Sequence, residues 1–119
     1  MTVTHADPTC IFCRIAAGEL PSEIVHQDDE FLAIRDIAPK ADTHVLVLPR
    51  AHHAHLDAWL ADAARAEPTA RMLAFVRDTA AALDVAGRYR LITNVGADAG
   101  QEVPHLHWHV LAGSRLPGF

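Results

Sequence analysis

Apolar and polar positions change their spacing several times along the chain, and each change marks an element. The runs "EIVHQ" (23–27) and "FLAIRDI" (31–37) are short and rich in β-branched and aromatic residues. Gln27-Asp28-Asp29-Glu30 separates them, so the pair reads as a hairpin. "HVLVLP" (44–49) reads as a third strand, stopped by Pro49. "HHAHLDAWLADAARA" reads as a short helix and linker. In "EPTARMLAFVRDTAAALDVAG" the period lengthens: Met72, Phe75, Val76, Ala80 and Leu83 recur at steps of three and four, one apolar stripe of a helix. Pro68 suits the first turn of that helix and Gly87 its end. "YRLITN" (89–94) and "HLHWHVLA" (105–112) are the fourth and fifth strands, joined by the glycine-containing loop "VGADAGQEVP".

Upstream, Thr9 is a candidate N-cap for a short helix in "CIFCRIAAGEL", which ends near Gly18. Residues 1–8, with His5, read as a loose tail, and 9–119 as a single domain. Strands cluster instead of alternating with helices. The expected fold is therefore α+β, a five-stranded antiparallel sheet with one main helix and a short N-terminal helix.

Composition narrows the class of function. The chain has 119 residues, half of them hydrophobic, and a formal charge of −5. That is ordinary for a globular domain and lacks the basic face that broad DNA or RNA binding needs. A single nucleotide in a pocket is compatible with it. No apolar run is long enough to span a bilayer, and the N-terminus lacks the pattern of a signal peptide, so a cytoplasmic protein without membrane attachment is expected.

The chemistry concentrates in "PHLHWHV". On an extended strand His105, His107 and His109 would share one face, with steps of about 6.5–7 Å, while Leu106, Trp108 and Val110 face the core. Three readings stand: a solvated polar face, a metal site, or a nucleophile with supporting imidazoles. For the second, Asp98 and Glu102 are the nearby carboxylates, and a catalytic zinc would keep a position open for water. In the third, a neutral imidazole nitrogen attacks phosphorus while the other holds its proton against an acceptor. Asn94, Gly96 and Gly100 just upstream would then let backbone N–H groups converge on an anion. The alternative for that loop is a plain turn.

His105-Leu106-His107-Trp108-His109-Val110-Leu111 resembles the signature of the histidine triad (HIT) family, and the likeness runs from about Cys10 to Gly113. "CIFCRIAAGELPSEIVHQDDEFLAIRDIAPKADTHVLVLPRAH" and "NVGADAGQEVPHLHWHVLAG" resemble the two halves of its nucleotide-binding branch. The resemblance implies a homodimer that binds purine nucleoside monophosphates and hydrolyses a bond between the α-phosphate and a leaving group, often an amine. It makes His107 the nucleophile, sets His109 and His44 around the phosphate, and gives His105 a supporting role. Asn94, Gly100 and Gln101 would approach the phosphate and ribose, and Asp36 the ribose hydroxyls. Phe12, Ile34 and Ile37 would form the slot for the base, unless they are ordinary core. Glu102 replaces a serine common in the family; it either donates a proton to the leaving group, repels the phosphate or turns outwards. The tail "SRLPGF" lacks the family's frequent Trp-Pro-Pro-Gly ending, whereas "VLAG" resembles the "VLGG" of the phosphoramidate-cleaving branch.

Cys10-x-x-Cys13 has the spacing of half a zinc site. Spacing alone does not choose its partners among His52, His53 and His55. The resemblance implies a structural Cys2His2 zinc with His52 and His105; free thiols are the alternative. No catalytic cofactor is expected. A phosphoramidase, a dinucleoside polyphosphate hydrolase, a non-catalytic nucleotide-binding module and a zinc hydrolase remain the functional options.

Overall fold

The computed structural model describes residues 7–114 and 116–118; most of the expected tail, residues 1–6 with His5, lies outside them. A short helix α1 (Ile11–Ala16) leads into strands β1 (Ile24–Gln27), β2 (Phe31–Arg35) and β3 (Thr43–Pro49). Helices α2 (Leu56–Trp59) and α3 (Ala66–Ala82) follow, then β4 (Arg90–Ile92) and β5 (Trp108–Ala112). The strands form one antiparallel sheet in the order β1-β2-β3-β5-β4. This is the expected α+β architecture. Among the described residues no helix is long and apolar enough to cross a membrane.

The alternation along β2 and β3 gives the sheet two differently covered faces. Phe31, Ala33, Val45, Val47 and Val110 pack with Met72, Phe75 and Val76 of α3, and with Trp59 and Leu106. Leu32, Ile34, Leu46 and Leu48 point the other way, onto Phe12, Cys10 and Cys13 around α1. His44 and His109 share this second face, because Leu46 pairs with His109 and His44 with Leu111. Burial of the apolar side chains beneath α3 anchors the sheet and leaves the other face to α1, His44 and His109.

Several boundaries differ from the sequence reading. Helix α3 stops at Ala82 and not at Gly87. Asp84 takes the left-handed conformation (φ 60°), while Val85 N–H donates to the Ala80 carbonyl and Asp84 N–H to that of Ala81, closing a Schellman motif. Thr79 joins the buried stripe because its hydroxyl donates to the Phe75 carbonyl, 2.8 Å away. The cap of α1 is Cys10, whose Sγ accepts from Cys13 N–H; Thr9 instead binds the Asp7 carboxylate. His26 is half-buried and stacks on Phe75 at 4.6 Å.

Candidate active site

The three spaced histidines do not lie along one strand. Only His109 belongs to β5, which begins at Trp108. Pro104 has no N–H, and His105 N–H turns back onto the Val103 carbonyl at 2.8 Å, a one-residue turn. Leu106 N–H donates to the His53 carbonyl (2.7 Å), and the Thr93 hydroxyl donates to the carbonyl of His107 (2.7 Å). The backbone of 105–107 is thus committed to loop partners, which removes it from the strand ladder. The core-facing half of the reading holds: Leu106 and Val110 are buried, and Trp108 packs half-buried against the same cluster.

His107 sits with its Nδ1 2.7 Å from the His105 carbonyl oxygen. A carbonyl only accepts, so Nδ1 carries the proton and Nε2 keeps a free lone pair. Burial pushes the His107 pKa below 6.5, against the opposing pull of that hydrogen bond and of the Asp36 and Glu102 charges. At neutral pH the ring is an uncharged, oriented base.

A second chain of hydrogen bonds fixes the neighbouring rings. Lys40 N–H donates to His44 Nδ1 (3.1 Å), so the proton of neutral His44 lies on Nε2. That N–H faces His109 Nδ1 at 2.9 Å and Asp36 Oδ2 at 3.4 Å. His109 accepts on Nδ1 and therefore presents Nε2–H as a donor. Burial lowers the His44 pKa; burial and the adjacent imidazoles of His107 and His44 bring His109 down to about 4. The His107 and His109 rings meet edge to face at 5.1 Å. A lone pair and a donor thus stand side by side, with both imidazoles neutral.

The loop before the three histidines is more closed than an anion nest. The N–H groups of Ala99, Gly100 and Gln101 all donate to carbonyls within residues 96–97, and Gly96 N–H donates to Gln101 Oε1. Gly96 and Gly100 supply the positive φ (88° and 94°) that this turn requires. The Gln101 side chain is buried and its amide donates to the Ala54 and Val103 carbonyls, so it braces the loop. Asn94 stands half-buried at its start. Glu102 is exposed, and its charge reaches His107. Phe12 and Ile34 lie in the core on the histidine side, Phe12 meeting His107 edge-on at 5.1 Å; Ile37 projects wholly into solvent.

Next to His107 lies a second constellation. Cys10 Sγ is 3.3 Å and Cys13 Sγ 3.5 Å from His105 Nδ1, and Cys13 Sγ is 3.3 Å from His52 Nδ1. Tetrahedral zinc with two sulfurs and two imidazole nitrogens sets S···N separations of about 3.6 Å, so the donors are close to ligand spacing. The tautomer also fits, because His105 Nε2 donates to the Pro49 carbonyl at 2.8 Å and leaves Nδ1 as a lone pair. Burial brings the His105 pKa down to about 4 and pushes the Cys13 thiol up to about 11, so a cation would have to displace the thiol proton. The geometry selects His52: His55 instead caps α2, accepting from Ala58 N–H, and His53 packs on Trp59.

Asp36, His44 and His109 also bring three donor atoms within 4.8 Å of one another. Here the tautomer argues against an ion. Lys40 N–H occupies His44 Nδ1 and leaves the proton on Nε2, the atom that would have to ligate. This cluster is built for hydrogen bonding.

The family model of the HIT domain matches residues 17–116. The chain belongs to the HIT family. It is 42% identical over 110 residues to an uncharacterized HIT-like protein of Azospirillum brasilense, covering 92% of this chain and 90% of the relative. Among solved structures, it resembles a HIT family hydrolase from Clostridium thermocellum (37% identity, TM-score 0.87, 96% of this chain and 98% of that one). A hypothetical histidine triad nucleotide-binding protein from Sulfolobus tokodaii is 35% identical with a TM-score of 0.70, covering 87% of this HIT chain and 68% of the other.

The contributors that sequence reasoning missed are mostly backbone atoms. The His105 and Pro49 carbonyls and the Lys40 amide decide three tautomers, yet no residue type at those positions signals it. Thr93 is the one side chain whose type carries a signal: a strand-end hydroxyl able to reach the adjacent strand.

Proposed function

We propose that this HIT protein is a nucleotidyl hydrolase that releases a purine nucleoside monophosphate from an amine, passing through a nucleotidyl-histidine on His107. The observation that carries this reading is the His107 Nδ1–H bond to the His105 carbonyl, which keeps Nε2 unprotonated, as a nucleophile must be. His109 Nε2–H supports it by donating to a phosphate oxygen as negative charge builds. Asp36 supplies the acceptor for the ribose hydroxyls, and the likeness to the nucleotide-binding protein of Sulfolobus tokodaii is consistent with a nucleotide ligand.

In the first step His107 Nε2 bonds to the α-phosphorus and the P–N bond breaks, its electron pair leaving with the nitrogen. The nitrogen takes up a proton from solvent, relayed in this reading by Glu102. Water then attacks phosphorus, the P–Nε2 bond returns its pair to the ring, and the water proton leaves by the same route. Phe12 and Ile34 pack in the core on the histidine side, and Asn94, Gly100 and Gln101 shape the loop beside the phosphate. We further infer a structural zinc on Cys10, Cys13, His52 and His105, which would cross-link the N-terminal segment to the sheet, and a homodimer as the working form.

The deciding experiment is intact-protein mass spectrometry on samples quenched during turnover of an adenosine phosphoramidate. The expected result is one nucleotidyl adduct, mapped to His107 and absent from His107→Ala. Turnover that survives in His107→Ala would overturn the reading, as would tight nucleotide binding without any turnover.

A further inference from the structure

Resting on the zinc inference above, we propose that metal occupancy of the Cys10–Cys13–His52–His105 cluster positions the catalytic imidazole, with His105 as the positioning residue that joins the two sites. Its ring belongs to the metal-ligating set, and its own carbonyl is the acceptor that fixes His107.

The linkage is short and fully buried. Metal on His105 Nδ1 and the Nε2–H bond to Pro49 would hold the ring at both nitrogens. The peptide that joins His105 to Leu106 is held from its other side by Leu106 N–H, which donates to the His53 carbonyl at 2.7 Å, so its orientation follows from the His105 ring and that bond. The carbonyl of that peptide then meets His107 Nδ1 at 2.7 Å. A second path runs through Phe12, which lies between the two cysteines in sequence. Its ring meets His105 edge-on at 5.8 Å and His107 at 5.1 Å. The first turn of α1, which carries both thiols, is therefore also the cover over the nucleophile.

Without metal, two thiols, two imidazoles and the start of α1 lose their common anchor. His107 then samples the other tautomer, in which Nε2 carries the proton and no longer attacks. The phosphate and ribose side is independent of this. His44, His109 and Asp36 are set by β2, β3, β5 and the Lys40 amide, none of which contributes a ligand to the cluster. The expected signature is a loss of kcat with nucleotide affinity retained, which a merely structural staple would not produce. The cluster is accessible to a chelator, because Cys10 and His52 line an open hollow of about 350 Å³ together with Glu102, Val103 and Pro104.

The test compares the full chain loaded with zinc and stripped by a chelator under reducing conditions. Three quantities are read: the His107 tautomer by long-range proton–nitrogen NMR, affinity for adenosine monophosphate by calorimetry, and kcat. Stripping is expected to turn a single Nδ1–H tautomer into a mixture and to lower kcat about 10–100-fold, with affinity changed by less than about 2-fold. Cys13→Ser should reproduce the stripped state, and Cys13→His, which keeps a zinc ligand, should restore the tautomer. The proposal is overturned if the chain binds no zinc, or if stripping leaves the tautomer and kcat unchanged. It is equally overturned if affinity falls alongside kcat with loss of amide protection in β3 and β5. Should the wild-type chain turn over no phosphoramidate, the NMR and affinity arms still decide this proposal, separately from the assigned reaction.

Discussion

Replacing His44 by asparagine isolates the hydrogen bond that gives His109 its role. Asparagine can still accept from Lys40 N–H at the position of His44 Nδ1, but its side chain ends short of the place where Nε2–H meets His109 at 2.9 Å. His109 Nδ1 then lacks its donor, and the ring is free to carry its proton there, losing the Nε2–H that the proposed reaction directs at the phosphate. A net hydrogen bond of about 1–1.4 kcal/mol corresponds to a change of about 5–10-fold in tautomer ratio, which is the ceiling on the fall in kcat from this cause. Glutamine, whose terminal amide reaches the Nε2 position, should recover most of it. The assay is steady-state hydrolysis of an adenosine phosphoramidate for wild type, His44→Asn and His44→Gln. It is paired with nitrogen NMR of His109 and a thermal melt to verify folding. If the His109 tautomer ratio in His44→Asn stays within about 2-fold of wild type, or if kcat does not fall at all, the hydrogen-bond chain does not do what is claimed for it.

Four further outcomes are expected. Gly113→Ala should destabilise the fold by about 1–3 kcal/mol in urea titration, because its φ is +131° and a Cβ would lie 2.6–2.8 Å from Asp42 side-chain atoms; an unchanged midpoint refutes this. The acid limb of kcat/KM should lie below pH 6.5: burial lowers the His107 pKa, so the reactive neutral ring persists as pH falls past 6.5 and is lost only at the lowered value. A limb above 6.5 would contradict that sign. His109, with its folded pKa near 4, should cost stability as pH falls from 6.5 to about 4, where the unfolded chain gains a proton that the folded chain refuses; His109→Gln should flatten that part of a pH–stability curve. Glu102→Ser should leave nucleotide affinity intact and slow leaving-group departure, and a faster enzyme would show that Glu102 is a handicap instead of a relay.

Period and residue type decide what is legible in the sequence. The stripe Met72, Phe75, Val76 and Ala80 identifies α3, since burial on one side of a helix leaves a repeat in the letters. The end of that helix escapes the same reading because Asp84 takes the left-handed position usually given to glycine. The row His105, His107, His109 looks like a strand for the same reason that real strands do, an alternation of polar and apolar residues. The alternation survives in the structure, with Leu106 and Val110 buried, although hydrogen bonds to His53 and Thr93 keep 105–107 out of the ladder. Cys10, Cys13, His52 and His105 converge from three separate stretches, and only a resemblance could join them ahead of the fold. Tautomers are out of reach altogether, since they are chosen by backbone atoms that every residue possesses.

The position of β5 between β3 and β4 has a consequence for biosynthesis. Sheet neighbours of β3 are delivered to the ribosome exit at very different times: β2 precedes it immediately, whereas β5 arrives about sixty residues later. Until then the "HVLVLP" segment presents an unpaired hydrophobic edge to its surroundings. A nascent or truncated chain ending before Trp108 should therefore recruit chaperones or aggregate, and no fragment of this protein short of its last strand should retain partial catalysis.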